Sequence, residues 1–352
     1  MLMLVRQCFD QSITSTTLDM KMKAMVLQGK ASPFVMLELP IPKPAADEAL
    51  VKLSAAALNR RDWYIQQGTY PRTRYPVIIG SDGAGVVADV GSNVSRSLIG
   101  SEVIINPSHN WGADPKVQQR DFKVLGFPDS GTLAEFIAVP AKYVLPKPPS
   151  LNFEEAAAVA LVGLTAYRAL FTRGTMERTD RVLVTGIGGG VAITALQFAR
   201  AFGATVYVTS GSDEKLGKAM ALGAVEGVNY SRPSWTEELK KVSEGFDLII
   251  DGAAGPGFAE LLDVAAPAGR IVVYGSVQGK IQNAEPARIF WKQLSILGST
   301  MGTEDEFVAM LRFVERYAIK PVIDSVYPLA AANNAMERLA SGKQFGKIVL
   351  RH

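Results

Sequence analysis

The chain has 352 residues and a formal net charge of +3, from 37 basic and 34 acidic side chains spread along its length. This balance gives no electrostatic footprint for a nucleic acid or a membrane surface, so the expected partner is a small-molecule substrate. The single cysteine, Cys8, excludes an internal disulfide, and with only His109 and His352 beside it little remains to bind a transition metal. Without an apolar run of about eighteen residues, we expect a soluble, cytoplasmic protein with two lobes and separate cores.

The first residues differ from the rest of the chain. Residues 1–21 are rich in Ser and Thr and have no core-like hydrophobic period, so we predict a disordered extension. They contain too few Arg for a transit peptide and too short an apolar stretch for a secretory signal. The alternating segment 23–27 begins the folded part, and we place its boundary at Met22.

Two kinds of pattern follow one another along the folded part. Residues 22–147 carry short β-branched segments separated by Gly and Pro, which predict an all-β lobe. Residues 148–301 alternate strand and helix patterns, which predict an α/β domain with a doubly wound parallel sheet. The last stretch, 302–352, contains two helix patterns and two strand patterns, and we expect it to complete the first lobe.

A glycine-rich turn joins a buried strand to a helix in the α/β domain. Its cofactor-binding candidates are Gly188, Gly189, Gly190 and Val191. Glycines let the backbone approach a pyrophosphate, and a helix N-terminus offers unpaired N–H groups and the positive end of a dipole. Ile187 and Ala192 fill the first and third glycine places of the common fingerprint, so the match is partial. The context nevertheless predicts dinucleotide binding rather than a merely tight turn.

The end of the second strand of this domain indicates which dinucleotide is bound. An NAD site would have an acidic side chain there to accept hydrogen bonds from the ribose, whereas this chain has Thr209 followed by Ser210 and Ser212. We predict NADP(H), with Ser212 at the 2′-phosphate, Lys215 neutralising it, Tyr230 beside the adenosine ribose, and Ser210 as a further cofactor contact. The alternative is that Ser212 only caps a helix and that Lys215 is a solvated charge.

Four motifs stand out along the body of the chain: LNRRD (58–62), PVIIGSDGAGVV (76–87), GLTAYRAL (163–170) and GKIVL (346–350). With these motifs, the chain from Met22 to Arg351 resembles the medium-chain dehydrogenase/reductase superfamily, and within it the zinc-independent, quinone-oxidoreductase-like branch. The resemblance implies a GroES-like β-rich catalytic domain, a Rossmann domain, and an active-site cleft between them.

The zinc-ligand positions of the superfamily are altered in this chain. In zinc-bearing relatives a Cys stands three residues before the Asp of the first motif, and a His follows the Gly of the second. Here these positions hold Asn59 and Ser81, and the cysteine cluster of a structural zinc is missing. Asp82 alone does not make the three-ligand set of a zinc site. We therefore predict no bound metal.

Without a Lewis acid, hydrogen-bond donors must stabilise the oxyanion that forms on the acceptor. The resemblance places Asn59 and Tyr64 among substrate-contacting groups. Tyr70 is an alternative donor, because enoyl-thioester reductases of the superfamily carry a Tyr in a similar segment. Each tyrosine has simple packing as its other interpretation. Thr165, on a helix expected to face the cofactor, and Gly275, after the strand 270–274, complete the predicted cofactor contacts.

Three further polar residues have a second interpretation. Arg168 lies on the helix of Thr165, and it either faces the cofactor or forms a salt bridge within its lobe. His109 is interpreted as a loop residue rather than an acid or base, and Asp62 as a residue that fixes the local turn.

Three functions remain open at the level of sequence. The first is NADPH-dependent reduction of a quinone or an α,β-unsaturated carbonyl without zinc, the second is enoyl-thioester reduction, and the third is a non-catalytic NADPH-binding protein with a sensory or structural role. We also predict a homodimer, because the apolar strand at 295–299 would otherwise form an exposed sheet edge.

Overall fold

The computed structural model describes residues 20–352, and most of the predicted extension 1–21 lies outside the described residues. The first strand, β1, runs over Lys21–Leu27 and pairs with Phe34–Pro40 (β2). Its side chains alternate from the start, with Met22 already buried. The folded part therefore begins at Lys21, one residue before the predicted boundary.

The first lobe combines three sheets with one short helix. Its further elements are β3 Glu48–Ala57, α1 Arg60–Gln66, β4 Val77–Ile78, β5 Asp82–Val90, β6 Glu102–Ile105, β7 Ser108–His109, β8 Lys123–Val124, β9 Phe136–Pro140 and β10 Val144–Pro146. One sheet has the order β2-β1-β4, a larger one includes β10, β6, β5, β3 and β9, and β7 pairs with β8. These strands pair antiparallel, so each sheet has one face available for the core.

Helix α1 shows that the prediction of an all-β first lobe is wrong. Asn59 is its N-cap, and the Asp62 side chain accepts a hydrogen bond of 2.8 Å from the Asn59 N–H group. At 7 residues the helix is too short to give a hydrophobic period that stands out from the surrounding strand patterns. Arg61, Asp62 and Tyr64 therefore lie on one turn and a half of helix.

The second lobe is the predicted doubly wound α/β domain. Its elements are α2 Phe153–Tyr167, β11 Arg181–Val184, α3 Gly190–Phe202, β12 Thr205–Ser210, α4 Asp213–Ala221, β13 Glu226–Asn229, α5 Trp235–Val242, β14 Phe246–Asp251, α6 Phe258–Val264, β15 Ala265–Val273, α7 Pro286–Trp291 and β16 Ser295–Gly298. The six parallel strands have the order β13-β12-β11-β14-β15-β16. This order reverses between β11 and β14, and ligands of such sheets bind at the carboxyl ends of the strands there.

The last segment returns to the first lobe. It contains α8 Glu304–Arg316, β17 Ile323–Pro328, α9 Ala332–Ala340 and β18 Lys347–Arg351. Strand β18 pairs antiparallel with β3 and parallel with β17, so it enters the middle of the large sheet of the first lobe. The chain thereby crosses between the lobes twice.

Helix α2 packs at the centre of the molecule. Together with a π-helical continuation, Arg168–Arg173, it is long and apolar enough by composition to cross a membrane, but 78% of its most apolar window is buried within the protein. Its core cluster contains Ala55 and Ala84 of the first lobe as well as Val182 of the Rossmann sheet. The expectation of two separate cores is therefore wrong at this helix, since both lobes pack on its sides.

Candidate active site between the two lobes

The glycine turn lies at the carboxyl end of β11 and leads directly into α3. Gly189 is the N-cap, is exposed, and has open space where a side chain would begin. The first N–H groups of α3, from Gly190 and Val191 onward, have no partners within the helix. An anionic pyrophosphate fits this arrangement, because the N–H groups and the helix dipole both favour negative charge. Gly189, Gly190 and Val191 would hold the phosphates of a bound dinucleotide.

Lysine side chains pass close beside two glycines of the turn, and a larger residue at either position would displace the lysine. Gly188 has a φ of 132°, and a methyl group on it would lie 2.8 Å from Cδ of Lys215. A methyl group on Gly190 would lie 2.8 Å from Cδ of Lys347. The turn thus accommodates one lysine from its own domain and one from the last strand of the catalytic domain.

The residues predicted to bind the 2′-phosphate meet at the end of β12. The Ser212 side chain caps α4 by accepting a hydrogen bond from the Lys215 N–H group. This is the capping role that the sequence also allowed for Ser212. Lys215 is not a solvated charge, because it is half-buried and its Nζ donates to the Gly342 carbonyl at 2.6 Å. Burial lowers the pKa of Lys215.

Two more predicted cofactor residues lie beside these. The Ser210 hydroxyl is buried and donates to the Ile187 carbonyl at 3.3 Å, so it ties the end of β12 to the glycine turn. The Tyr230 ring is 43% exposed and lies next to Gly211, where a methyl group would be 3.1 Å from Tyr230 Cε2. An acidic side chain does follow Ser212, but Asp213 accepts hydrogen bonds from Asn229 and Arg232.

A buried ion pair, Lys347 with Asp82, contacts Asn59, one of the two positions that hold zinc ligands in zinc-bearing relatives. Nζ of Lys347 donates to Asn59 Oδ1 at 2.7 Å, to Asp82 Oδ2 at 2.8 Å and to the Leu58 carbonyl at 2.8 Å. Asn59 Nδ2 donates to Asp82 Oδ2 at 2.9 Å, and Asp82 Oδ1 accepts from the Leu161 N–H group at 2.8 Å. Because an ammonium group only donates, the Asn59 oxygen faces Lys347 and one Nδ2 hydrogen remains available.

A second cation contacts the other zinc-ligand position. Arg61 Nη1 donates to the Ser81 hydroxyl at 2.5 Å and to the Leu125 carbonyl at 2.8 Å. Its guanidinium carbon lies 5.0 Å from the centre of the Tyr70 ring, which also packs edge-on against Phe127 at 6.1 Å. Arg61 therefore connects α1, Ser81 and Tyr70.

The two candidate tyrosines lie on the same turn. The Tyr64 carbonyl accepts hydrogen bonds from the Thr69 and Tyr70 N–H groups, and both rings are partly exposed. Tyr64 packs against Trp63, with 5.3 Å between ring centres, whereas Tyr70 packs on the Arg61 side. Both rings therefore have the packing contacts of the alternative interpretation, and Tyr70 is also connected to Ser81 through Arg61.

Neither remaining titratable candidate is arranged as a general acid or base. Asp62 is fully buried, its Oδ2 is used by the helix cap and its Oδ1 has no partner; burial raises its pKa to about 6. His109 lies in β7 rather than in a loop and is stacked on Tyr143 at 3.9 Å, with Nε2 bonded to the Asn106 carbonyl. Burial lowers the pKa of His109 to about 4, so its ring is neutral near pH 7.

Zinc does not fit the donors at these positions. Asn59 and Asp82 are both bonded to the Lys347 ammonium group, and Ser81 is bonded to the Arg61 guanidinium group. Zinc requires thiolate, imidazole or carboxylate ligands, and here the one carboxylate already neutralises a lysine. Within residues 20–352, no group of three or more His, Cys, Asp or Glu side chains is placed to hold a metal ion.

The other predicted contacts lie on either side of the glycine turn. Thr165 is buried in α2, and its hydroxyl donates to the Leu161 carbonyl at 2.8 Å. Gly275 lies two residues after the end of β15, where it packs against Gly252 at the carboxyl edge of the sheet. Arg168 forms a salt bridge with Glu306 of the last segment, so it is paired as the second interpretation expected, but with a partner outside its own lobe.

Arg61 and Lys347 are site residues to which sequence reasoning assigned no role. Both belong to motifs that carry the family resemblance, but their partners are distant in sequence. A signal was present for Lys347, because it precedes the apolar run Ile-Val-Leu in the strand KIVLR, and a charge buried in such a strand needs a partner. No comparable signal identifies Ser81 as the partner of Arg61.

Comparison with known proteins agrees with this architecture. Residues 45–149 match the family described as the alcohol dehydrogenase GroES-like domain, and residues 190–316 match the family described as zinc-binding dehydrogenase. The chain is 37% identical over 329 residues to the zinc-type alcohol dehydrogenase-like protein YogA of Leptosphaeria maculans, covering 88% of this chain and 92% of that one. A crystal structure of an NAD-dependent alcohol dehydrogenase superposes with a TM-score of 0.89 at 37% identity, covering 94% of this chain and all of the other.

Relatives with other named activities are also similar. Human quinone oxidoreductase is 31% identical, covering 89% of this chain and 92% of its own. Acryloyl-coenzyme A reductase of Sulfurisphaera tokodaii is 31% identical, covering 94% of this chain and 100% of its own. A GroES-like lobe joined to a Rossmann lobe, in a chain similar to these relatives, defines a nicotinamide-dependent oxidoreductase. The chain belongs to the medium-chain dehydrogenase/reductase superfamily.

Proposed function

We propose that this chain uses NADPH to reduce a quinone or an α,β-unsaturated carbonyl, and that it does so without zinc. The observation that carries the proposal is the Asn59–Asp82–Lys347 cluster, which fills the zinc-ligand region with neutralised, hydrogen-bonded side chains. Chemistry at this site must then depend on hydrogen-bond donors. Reduction of a conjugated acceptor suits such donors, because its negative charge develops on an oxygen atom.

The Lys347 contacts give Asn59 a defined role. They fix the amide orientation, so the free Nδ2 hydrogen is held in place before an acceptor arrives. Tyr64 lies one helical turn further along α1 and supplies a second donor. Together these groups would bind the carbonyl oxygen of the acceptor and stabilise the enolate-like charge that forms on it. A bound nicotinamide supplies the hydride; the electron pair moves to that oxygen, and a proton comes from water or from the Tyr64 hydroxyl group.

The selection of NADPH rests on the end of β12. Lys215 follows Ser212 in the first turn of α4 and extends its side chain past Gly188 of the glycine turn, and the nearest acid in sequence, Asp213, is bonded to Asn229 and Arg232. A 2′-phosphate there would gain a charge-assisted hydrogen bond, which is stronger than a neutral one.

Enoyl-thioester reduction is a second candidate because of the position of Tyr70. This residue, and not Tyr64, stacks on Arg61, whose other contacts are Ser81 and Leu125. A thioester carbonyl held near Ser81 would therefore accept a hydrogen bond from the Tyr70 hydroxyl group. The likeness to an acryloyl-coenzyme A reductase supports this alternative.

The experiment is a panel of quinones, enones and enoyl thioesters, each assayed with NADPH by loss of nicotinamide absorbance. Quinones or enones are expected to give the highest kcat/KM. Tyr64→Phe and Asn59→Ala should then lower turnover by about ten- to thousand-fold, the upper end being the loss of a single oxyanion donor, with NADPH affinity retained. Tyr70→Phe is the matched control.

Each other outcome assigns a different function. If Tyr70→Phe abolishes turnover while Tyr64→Phe and Asn59→Ala retain it, and enoyl thioesters are the best acceptors, the second candidate is correct. If NADPH binds but no acceptor in the panel is reduced, the protein is a non-catalytic cofactor-binding protein.

A further inference from the structure

The segment between β6 and β9, residues 107–131, forms a wall of the acceptor side of the cleft. The Leu125 carbonyl accepts hydrogen bonds from both Arg61 and Ser81, and Phe127 packs against Tyr70. The two halves of the segment are joined where β7 pairs with β8. A displacement of either half would therefore be transmitted to the groups around Ser81.

Arg168 of the Rossmann lobe contacts the other end of this wall. Its Nη2 donates to the Pro115 carbonyl at 2.9 Å and to the Lys116 carbonyl at 3.3 Å. The guanidinium carbon lies 4.5 Å from the centre of the Trp111 ring, a cation–π contact. Arg168 and Trp111 are each only 2% exposed, so these contacts are shielded from solvent.

The same guanidinium group is held from its other side by the crossing that returns to the first lobe. Arg168 Nη1 lies 2.9 and 2.7 Å from the two carboxylate oxygens of Glu306. Glu306 is fixed by the capping box of α8, in which it accepts from the Thr303 N–H group at 2.7 Å. Close by, the Ser108 hydroxyl donates to the Gly302 carbonyl at 2.5 Å, which ties the start of the wall to the same crossing.

The backbone is irregular at Arg168. Helix α2 ends at Tyr167, and the chain continues as a π-helix over Arg168–Arg173. Such segments are rare and occur often at functional sites. Arg168 thus has Glu306 on one side and Trp111 with two loop carbonyls on the other, and it begins a segment of unusual geometry.

We propose that Arg168 is a positioning residue that holds the 107–131 wall in the conformation that binds the acceptor. Only a planar guanidinium group can hydrogen-bond to Glu306 and two loop carbonyls and also stack on an aromatic ring, so lysine is not equivalent. Because Arg168 orders the wall before the acceptor binds, the conformational entropy of the wall is not lost on binding and does not weaken acceptor affinity. The identity of the acceptor in this inference rests on the proposed function. The ordering of the wall by Arg168 does not depend on it.

Two variants separate the wall contact from the salt bridge. Arg168→Lys keeps a positive charge beside Glu306 and loses the planar fork, whereas Trp111→Leu leaves Arg168 and Glu306 unchanged and removes the aromatic face. Trp111→Phe is the conservative variant that keeps that face. Arg316→Met, an exposed arginine of α8, is the matched control.

Both Arg168→Lys and Trp111→Leu are expected to raise the KM for the best acceptor by about ten- to hundred-fold, the range that small misplacements produce. The Kd for NADPH should stay within about twofold, and kcat should fall less than KM rises. Trypsin should cleave after the exposed Lys116 and Arg120 faster than in the parent protein. Trp111→Phe should restore a KM near the parent value.

The proteolysis measurement needs no substrate, so it tests Arg168 even if no acceptor in the panel is reduced. Unchanged cleavage and unchanged KM in both variants would overturn the proposal. It is equally overturned if NADPH affinity, kcat and the unfolding midpoint fall together, because that pattern shows a general loss of structure.

Discussion

Lys347 links the cofactor side of the cleft to the acceptor side. Its stem passes Gly190 at the start of α3, and its ammonium group ends between Asn59 and Asp82. The lysine and Asp82 are almost completely buried, with 4% and 0% of their side chains exposed. Two charges in such a place are stable only as a pair with further hydrogen bonds, which the Leu58 carbonyl and the Leu161 N–H group provide.

Replacing Lys347 by Met should therefore destabilise the protein by about 3 to 5 kcal/mol, because it leaves the Asp82 carboxylate buried without a cation. Urea unfolding followed by circular dichroism measures this. Lys343→Met, four residues earlier and exposed, should change stability by no more than about 0.5 kcal/mol. Equal stability of the two variants would show that the Asp82 pair is not a structural requirement.

Ser212 and Lys215 provide a test of cofactor choice. Ser212→Ala combined with Lys215→Ala should weaken NADPH binding by about ten- to hundred-fold, since hydrogen bonds to a charged group are lost, and leave NADH nearly unaffected. Fluorescence titration with each cofactor measures both values. Lys218→Ala, on the exposed side of α4, serves as the control. An equal loss for NADH and NADPH would mean that these residues do not recognise the 2′-phosphate.

His109 makes stability depend on pH. Its folded pKa of about 4 lies below the ordinary value of 6.5 because burial disfavours the charged ring. The stability that depends on a neutral His109 is complete above about pH 6.5 and is lost as the pH falls toward 4, by about 3 kcal/mol. His109→Gln should lose less stability over this range in urea unfolding at several pH values. Parallel curves for the variant and the parent protein would contradict this assignment.

At the scale of elements, the outer strand β16 of the Rossmann sheet is an exposed apolar edge. Strand β16 pairs only with β15 within residues 20–352 and is mostly exposed. The preceding helix, α7, leaves Phe290 and Trp291 at 55% and 81% exposure. An apolar strand edge beside exposed aromatic rings is a surface on which a second copy would pair.

We predict a homodimer through this edge, and Ile296→Lys with Trp291→Glu should convert it to a monomer by placing charges in the interface. Sedimentation velocity at micromolar concentration measures the change. Val277→Lys, which alters another exposed apolar side chain, is the control. A monomeric parent protein would contradict the prediction. A dimer that persists in the double variant would show that the interface lies elsewhere.

Elements with a strong local pattern could be predicted from sequence, and shorter ones could not. The parallel sheet and its glycine turn follow from repeated strand and helix periods, so their type and order were predictable. Helix α1 was missed because a capped helix of only 7 residues resembles a loop in a β-rich context. This helix carries Arg61, Asp62 and Tyr64, so the element that was not predicted is part of the candidate site.

At the scale of the whole molecule, the contacts that build the site join segments far apart in the chain. Lys347 and Asp82 are 265 residues apart, and Arg168 and Glu306 are 138 apart. Residue types indicated which side chains were polar and unusual, but periodicity carries no information on which of them meet across two lobes. The shared core around α2 escaped prediction for the same reason, since an apolar helix does not reveal how many neighbours cover it.

The central claim is that a metal-free cleft reduces a conjugated acceptor, and it is tested most directly by turnover of chelator-treated protein. Zinc is measured by elemental analysis on the same sample used for NADPH oxidation with the best quinone or enone. The account predicts far less than one zinc per chain and full activity after the chelator is removed. One tightly held zinc per chain, with activity that disappears on chelation and returns only when zinc is added, would contradict it.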